Sequence, residues 1–152
     1  MGRLLQYAAL GVLCAGTVSA HDARPIDGDE RIAVILTRAE RAYVLEQMRL
    51  FVASVETVVA GLAESDRGGA VDAAAARGLK RNINDPAFPP TLAPKLPAEW
   101  KQLGGAMRKG FDALSDAIGA GQDTSQSLTQ LSEVMRNCVA CHSTYHIVAA
   151  DE

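Results

Sequence analysis

Near the C-terminal end, Leu128, Leu131, Met135, Cys138, His142 and Tyr145 recur at alternating intervals of three and four residues without a break. That rhythm is the repeat of an amphipathic α-helix with one face against a core. Whatever chemistry Cys138, Cys141 and His142 carry is therefore presented from a helix. Asp123, with Gln126 three residues on, supplies a start signal for it.

The same period organises the rest of the chain. A first helix is expected from about residue 31 to 64, with Val44, Met48, Phe51, Val55, Val58 and Leu62 inward. Asp27 and Glu30 can form its capping box. The run Ser65-Asp66-Arg67-Gly68-Gly69 reads as a turn. A short second helix follows from about Ala70 to Asn82, with Val71, Ala75, Leu79 and Ile83 inward. Five prolines between Pro86 and Pro97 then forbid a helix and predict an ordered crossing loop or strap. Pro97 opens a third helix, whose stripe is Trp100, Leu103, Met107, Phe111 or Gly110, Leu114 and Ile118. Aromatic residues make up only 5% of an Ala-rich chain, which suits packed helices and not a β-sandwich. The expected fold is all-α, an antiparallel four-helix bundle over residues 29–152. The first two helices offer a face through which a homodimer could form.

The beginning of the chain has a separate logic. Arg3 precedes an apolar run from Leu4 to Val18, and Val18-Ser19-Ala20 is a small-residue cleavage pattern. Residues 1–20 read as a secretory signal peptide cut after Ala20, which places the mature protein in the periplasm. A retained membrane anchor is the alternative, but the run is short and rich in Ala and Gly for a span. Leu13 stands before Cys14 where a lipoprotein signal needs a small residue. Residues 21–28 form a loose leader. His21 would head the mature chain, where amine and imidazole can chelate copper, yet no second histidine accompanies it. Loss of Arg3 takes the formal charge from −3 to −4. This mild acidity, without a basic block, gives no sign of nucleic-acid binding. No second apolar run reaches spanning length, so no membrane insertion of the mature form is expected.

Cleavage also leaves two cysteines, both in Cys138-Val139-Ala140-Cys141-His142. Thiols at this spacing can add across the two vinyl groups of one haem, and the adjacent imidazole can ligate the iron. On a helix, Cys138 and His142 lie one turn apart on the same side. A thioredoxin-like pair would need a strand before the motif and a helix starting at it. A zinc site would need a second ligand pair. A disulfide within four helical residues is strained and staples almost nothing. The motif thus points to one covalently attached haem c, with Cys138 and Cys141 as thioether links and His142 as axial ligand.

With this motif after three helices, the chain resembles the class II c-type cytochromes, the cytochrome c′ and c-556 family, over roughly residues 30 to 148. Leu96-Pro97-Ala98-Glu99-Trp100, Phe111, Leu114, Gly121 and Asp123 match weakly; Cys138 to Tyr145, a C-x-x-C-H-x-x-aromatic ending, matches specifically. The resemblance implies a haem held in the bundle on His142. The family carries Arg or Lys after the aromatic residue, whereas here it is His146. His146 could offset haem propionates only when protonated, and it lies on the proximal side.

The sixth iron position decides the activity. Met48 lies where low-spin members of the family place a methionine ligand, although a Met on an apolar stripe also serves as core filler. Met107 and Met135 read as packing residues. Tyr43, Phe51, Trp100, Phe111 and Tyr145 read as haem-pocket or core side chains. With Met48 as second axial ligand, the protein is an electron carrier between redox partner proteins. Without it, five-coordinate iron would bind nitric oxide or carbon monoxide. A structural or sensory haem in a larger complex is a third reading. No catalytic triad, paired-carboxylate site, phosphate loop or HExxH motif points to an enzyme.

Overall fold

The computed structural model describes residues 28–150. The expected signal peptide, most of the expected leader and Asp27 of the expected capping box lie outside the described residues. In chain order the elements are β1 (Ile32–Leu36), α1 (Arg38–Glu64), α2 (Arg67–Ala75), α3 (Leu79–Asn82), a 3-10 turn (Ala93–Lys95), α4 (Ala98–Gly119), α5 (Thr124–Thr144) and β2 (Tyr145–Ala149). Most of the described chain is helical, as an all-α reading requires. Among the described residues no helix is long and apolar enough to cross a membrane.

The first helix begins later than its apolar pattern suggests. Thr37 is the N-cap: its hydroxyl accepts from the Glu40 amide at 3.4 Å, and Glu40 accepts from the Thr37 amide at 2.8 Å. This reciprocal box satisfies two amides that the helix leaves unpaired. Residues 32–36, expected as helix, are strand instead. From Ala33 to Leu36 exposed and buried residues alternate, with Val34 and Leu36 buried and Ala33 and Ile35 exposed, a period of two. β1 pairs in parallel with β2, from Ile32 opposite Tyr145 to Leu36 opposite Ala149. Tyr145, expected on the last helical stripe, therefore opens β2. The last turn of α5 is closed from outside, because Arg31 donates to the carbonyls of His142 at 3.0 Å and Tyr145 at 3.5 Å.

α1 and α2 are joined by Ser65 and Asp66 alone. Ser65 adopts the left-handed conformation, φ 64°, and ends α1. Asp66 caps α2 by accepting from the Gly69 amide at 3.0 Å. Arg67, Gly68 and Gly69, expected in the turn, thus belong to the first turn of α2. The second helix, expected unbroken from 70 to 82, is two pieces. Asp112 of α4 draws the chain over by accepting from the Leu79 and Lys80 amides at 2.9 and 3.2 Å. Ala70 and Ala74 are fully buried, Val71 packs partly buried against the same cluster as expected, and Ile83 is exposed.

The proline-rich strap is ordered. Leu92 is buried, and Glu40, 1% exposed, holds the strap through Thr91 Oγ1 and Lys95 Nζ, each at 2.7 Å. These contacts, Lys95 first, hold the Glu40 carboxyl down at about 2. α4 packs on α5, α2 on both α1 and α4, and α1 meets α5 over a short stretch. The α4–α5 approach is close at Gly110, where a Cβ would stand 2.6 Å from Val134 Cγ2. Two apolar clusters result. One joins Phe51, Val58, Phe111, Leu114, Ile118 and Leu131; the other joins Val34, Leu36, Val44, Leu92 and Tyr145 under the strand pair.

Candidate functional site

The structure turns α5 by about one position from the stripe read in its sequence. Ser127, Leu131 and Val134 are its buried residues, and Leu128, Met135 and His142 are exposed. Cys138 and Cys141 are both half-buried and packed against the core, which corrects the placing of His142 on the inward stripe. Thiols three residues apart share a helix face, so both meet the core, whereas His142, one turn from Cys138, is exposed.

The two thiols reach different clusters. Cys138 packs against the first, with its Sγ 3.4 Å from Met107 Sδ. Cys141 packs against the second, which also takes in Trp100 and Tyr145. Those two rings lie 5.4 Å apart at 55°, and the Tyr145 hydroxyl donates to Glu99 at 3.2 Å. Met48 is half-buried and packs against both clusters, so it stands at their junction. Phe51 lies one turn further along α1 and stacks on Phe111 at 5.7 Å. Of the expected site residues, Met48, Phe51, Trp100, Tyr145, Cys138 and Cys141 are thus gathered about this junction.

Both cysteines are free thiols. Burial pushes each thiol above its ordinary pKa, and Cys141 is raised further by Cys138 and Glu99. They are neutral at pH 7, unlike the low-pKa thiolate of a disulfide-exchange site. The His142 imidazole is exposed and has no hydrogen-bond partner among the described residues. Nor do any three His, Cys, Asp or Glu side chains among the described residues converge to hold a metal ion. The thiols face in and the imidazole faces out, a divergent set.

Three features escaped the sequence reading. Met107, read as packing, touches the Cys138 sulfur, and its place one turn from Gly110 on the α4 stripe was the available signal. Gly104 lies on the α4 face that carries Trp100 and Met107, yet a Cβ there, or at Gly105, would meet nothing within 4 Å. A mid-helix glycine costs about 1 kcal/mol relative to alanine, so this open space is not a demand of the helix itself. The third is the clasp on the motif. Asp29 binds Arg31 at 2.6 Å and faces His146 Nδ1 at 3.3 Å, so His146 is half-buried against an acid. The Arg31 guanidinium holds the Asp29 carboxyl well below the usual range. No protein-family model matches the chain, and no curated protein or solved structure matches it either.

Proposed function

We propose that this chain is an exported, periplasmic c-type cytochrome that carries single electrons between redox partner proteins. Its helices make an antiparallel four-helix bundle, with α2 and α3 together as the second arm. The observation that carries this reading is the arrangement around Cys138. Two free thiols face inward from one helix, an unpartnered imidazole follows them, and Met48 stands at the junction of the clusters that the thiols reach.

The thiols, Met48 and the open space at Gly104 fit a haem, and the exposed His142 imidazole would turn inward to reach its iron. Cys138 and Cys141 would hold the haem covalently. Each thiol would supply the S–H that adds across one vinyl double bond, sulfur to one carbon and hydrogen to the other, with no leaving group. His142 would ligate the iron, with Met48 as the second ligand, and the unfilled space at Gly104 leaves room on α4 for a flat group. The haem supplies the one-electron couple of its iron. The chain itself holds both thiols against the apolar clusters and leaves His142 on the accessible side of α5.

Absorption spectra of the ferrous mature protein with carbon monoxide test the assignment. The expected wild-type spectrum is low-spin, with slow or incomplete uptake of the gas, and Met48→Ala makes uptake immediate. Complete uptake at once by the wild type would instead assign the chain to gas binding at five-coordinate iron. A low-spin spectrum unchanged in Met48→Ala would remove Met48 from the iron.

A further inference from the structure

Arg77 and Arg108 form an unusual pair. Both guanidinium groups lie over one ring, that of Phe51, with their central carbons 5.9 and 5.0 Å from its centroid. Arg108 also donates to the Arg77 carbonyl at 3.3 Å and to Gln47 Oε1 at 3.4 Å. Arg77 Nε is buried and makes no hydrogen bond. Among the described residues, neither guanidinium forms an ion pair. The acid in the neighbourhood is Asp85, and its carboxylate already accepts from the Tyr43 hydroxyl at 2.7 Å and the Ala87 amide at 2.9 Å. Burial and then the charge of Arg77 disfavour the charged form of Arg108, with Tyr43 and Asp85 offsetting part of this.

Two like charges gathered over one apolar ring repel, and their desolvation is unfavourable unless an anion accompanies them. The aromatic face compensates only part of this. Guanidinium forks match the two oxygens of a carboxylate, and a pair of them matches a pair of carboxylates. The location narrows the source. Phe51 belongs to the cluster that Met48, Met107 and Cys138 pack against, and Gln47 is next to Met48 in the chain. We propose that Arg77 and Arg108, with Gln47, form the binding site for the propionate carboxylates of the porphyrin. This rests on the haem reading above. It moves propionate recognition away from position 146, whose histidine faces Asp29, to the face of Phe51. Arg77 and Arg108 then fix the rotation of the ring about the two thioether links, and their charge favours the reduced iron.

The test compares the haem-loaded wild type with Arg77→Gln/Arg108→Gln and with Arg77→Lys/Arg108→Lys. The readouts are resonance Raman propionate modes, midpoint potential, calorimetric titration with inorganic phosphate, and intact mass. The glutamine pair is expected to shift the propionate modes and lower the potential. The lysine pair restores most of the potential, because the charge is back, while the modes stay altered because the forks are gone. The wild type is expected to take up no phosphate, a result that needs no variant to fold. Unmoved modes and potential in a folded glutamine pair would overturn the site. So would saturable phosphate uptake by the loaded wild type, which would assign the two arginines to a free oxyanion. A mass without porphyrin removes this proposal together with the haem reading, whereas porphyrin attached with unmoved modes removes the arginine site alone.

Discussion

Gly104 and Gly110 sit on the same helix, yet alanine at each should act in opposite directions. At Gly104 the added Cβ meets nothing within 4 Å. The substitution then gains only helix propensity and reduced freedom of the unfolded chain, about 1 kcal/mol of stability. At Gly110 the Cβ would stand 2.6 Å from Val134 Cγ2, with two further Val134 carbons at 3.5 and 3.6 Å. The nearest contact is about 1 Å inside carbon–carbon van der Waals separation. Relieving it means turning Val134, a buried residue of α5, or parting α4 from α5, which costs about 2 kcal/mol. The propensity gain offsets about half, leaving a net loss of about 1 kcal/mol. The two variants should thus differ by about 2 kcal/mol, roughly 8 °C in Tm for a domain of this size. Urea and thermal unfolding of the haem-free mature chain measure both. In the loaded protein the Gly104→Ala gain should shrink, because the space it enters is the one assigned to the prosthetic group. Two variants that change stability in the same direction, or a destabilised haem-free Gly104→Ala, would refute the packing on which the site rests.

Three further outcomes follow from the fold. Leu36→Ala removes a side chain that is 0% exposed under the strand pair, and calorimetry should show a loss of about 3 kcal/mol. Ser65→Gly relieves the left-handed conformation at φ 64°, and a chemical denaturation midpoint should rise in proportion to about 1 kcal/mol. Glu40→Gln should flatten the acid limb of the stability profile. The folded-state value is depressed from 4.5 to about 2, so the stabilisation is fully present above the unfolded value. It is lost as pH falls from about 4.5 through about 2. A Glu40→Gln profile that declines over this window as steeply as the wild type would contradict the role given to Glu40.

The long helices were legible because their apolar residues follow one period over many turns. In α1, the inward set Val44, Phe51, Val58 and Leu62 matches the reading. The Asp123 cap and the ordered strap were legible for the same local reasons. Three misreadings share a cause. Leu128 and Met135 satisfied the period on α5 as well as Val134 did, and only the close approach of Gly110 selects Val134. Ala70 and Ala74, 0% exposed, lie deepest on α2 beside the expected Val71, because small side chains let α2 lie close to its neighbours. The β1–β2 pair joins residues more than a hundred positions apart, and no local pattern reports such a partner. In the site, the chemistry expected of the motif was read from its spacing alone. Met107 beside Cys138, the open face at Gly104 and the paired arginines depend on which helices meet.

The central claim is a porphyrin joined to Cys138 and Cys141, and the intact mass of the mature protein reports it most directly. The protein should be exported by a cell that can mature such proteins and weighed beside Cys138→Ala/Cys141→Ala. The expected result is a wild-type mass equal to the chain from His21 plus one haem, stable to acid extraction, and a double variant without the addition. A wild-type mass equal to the bare polypeptide under those conditions would contradict the account.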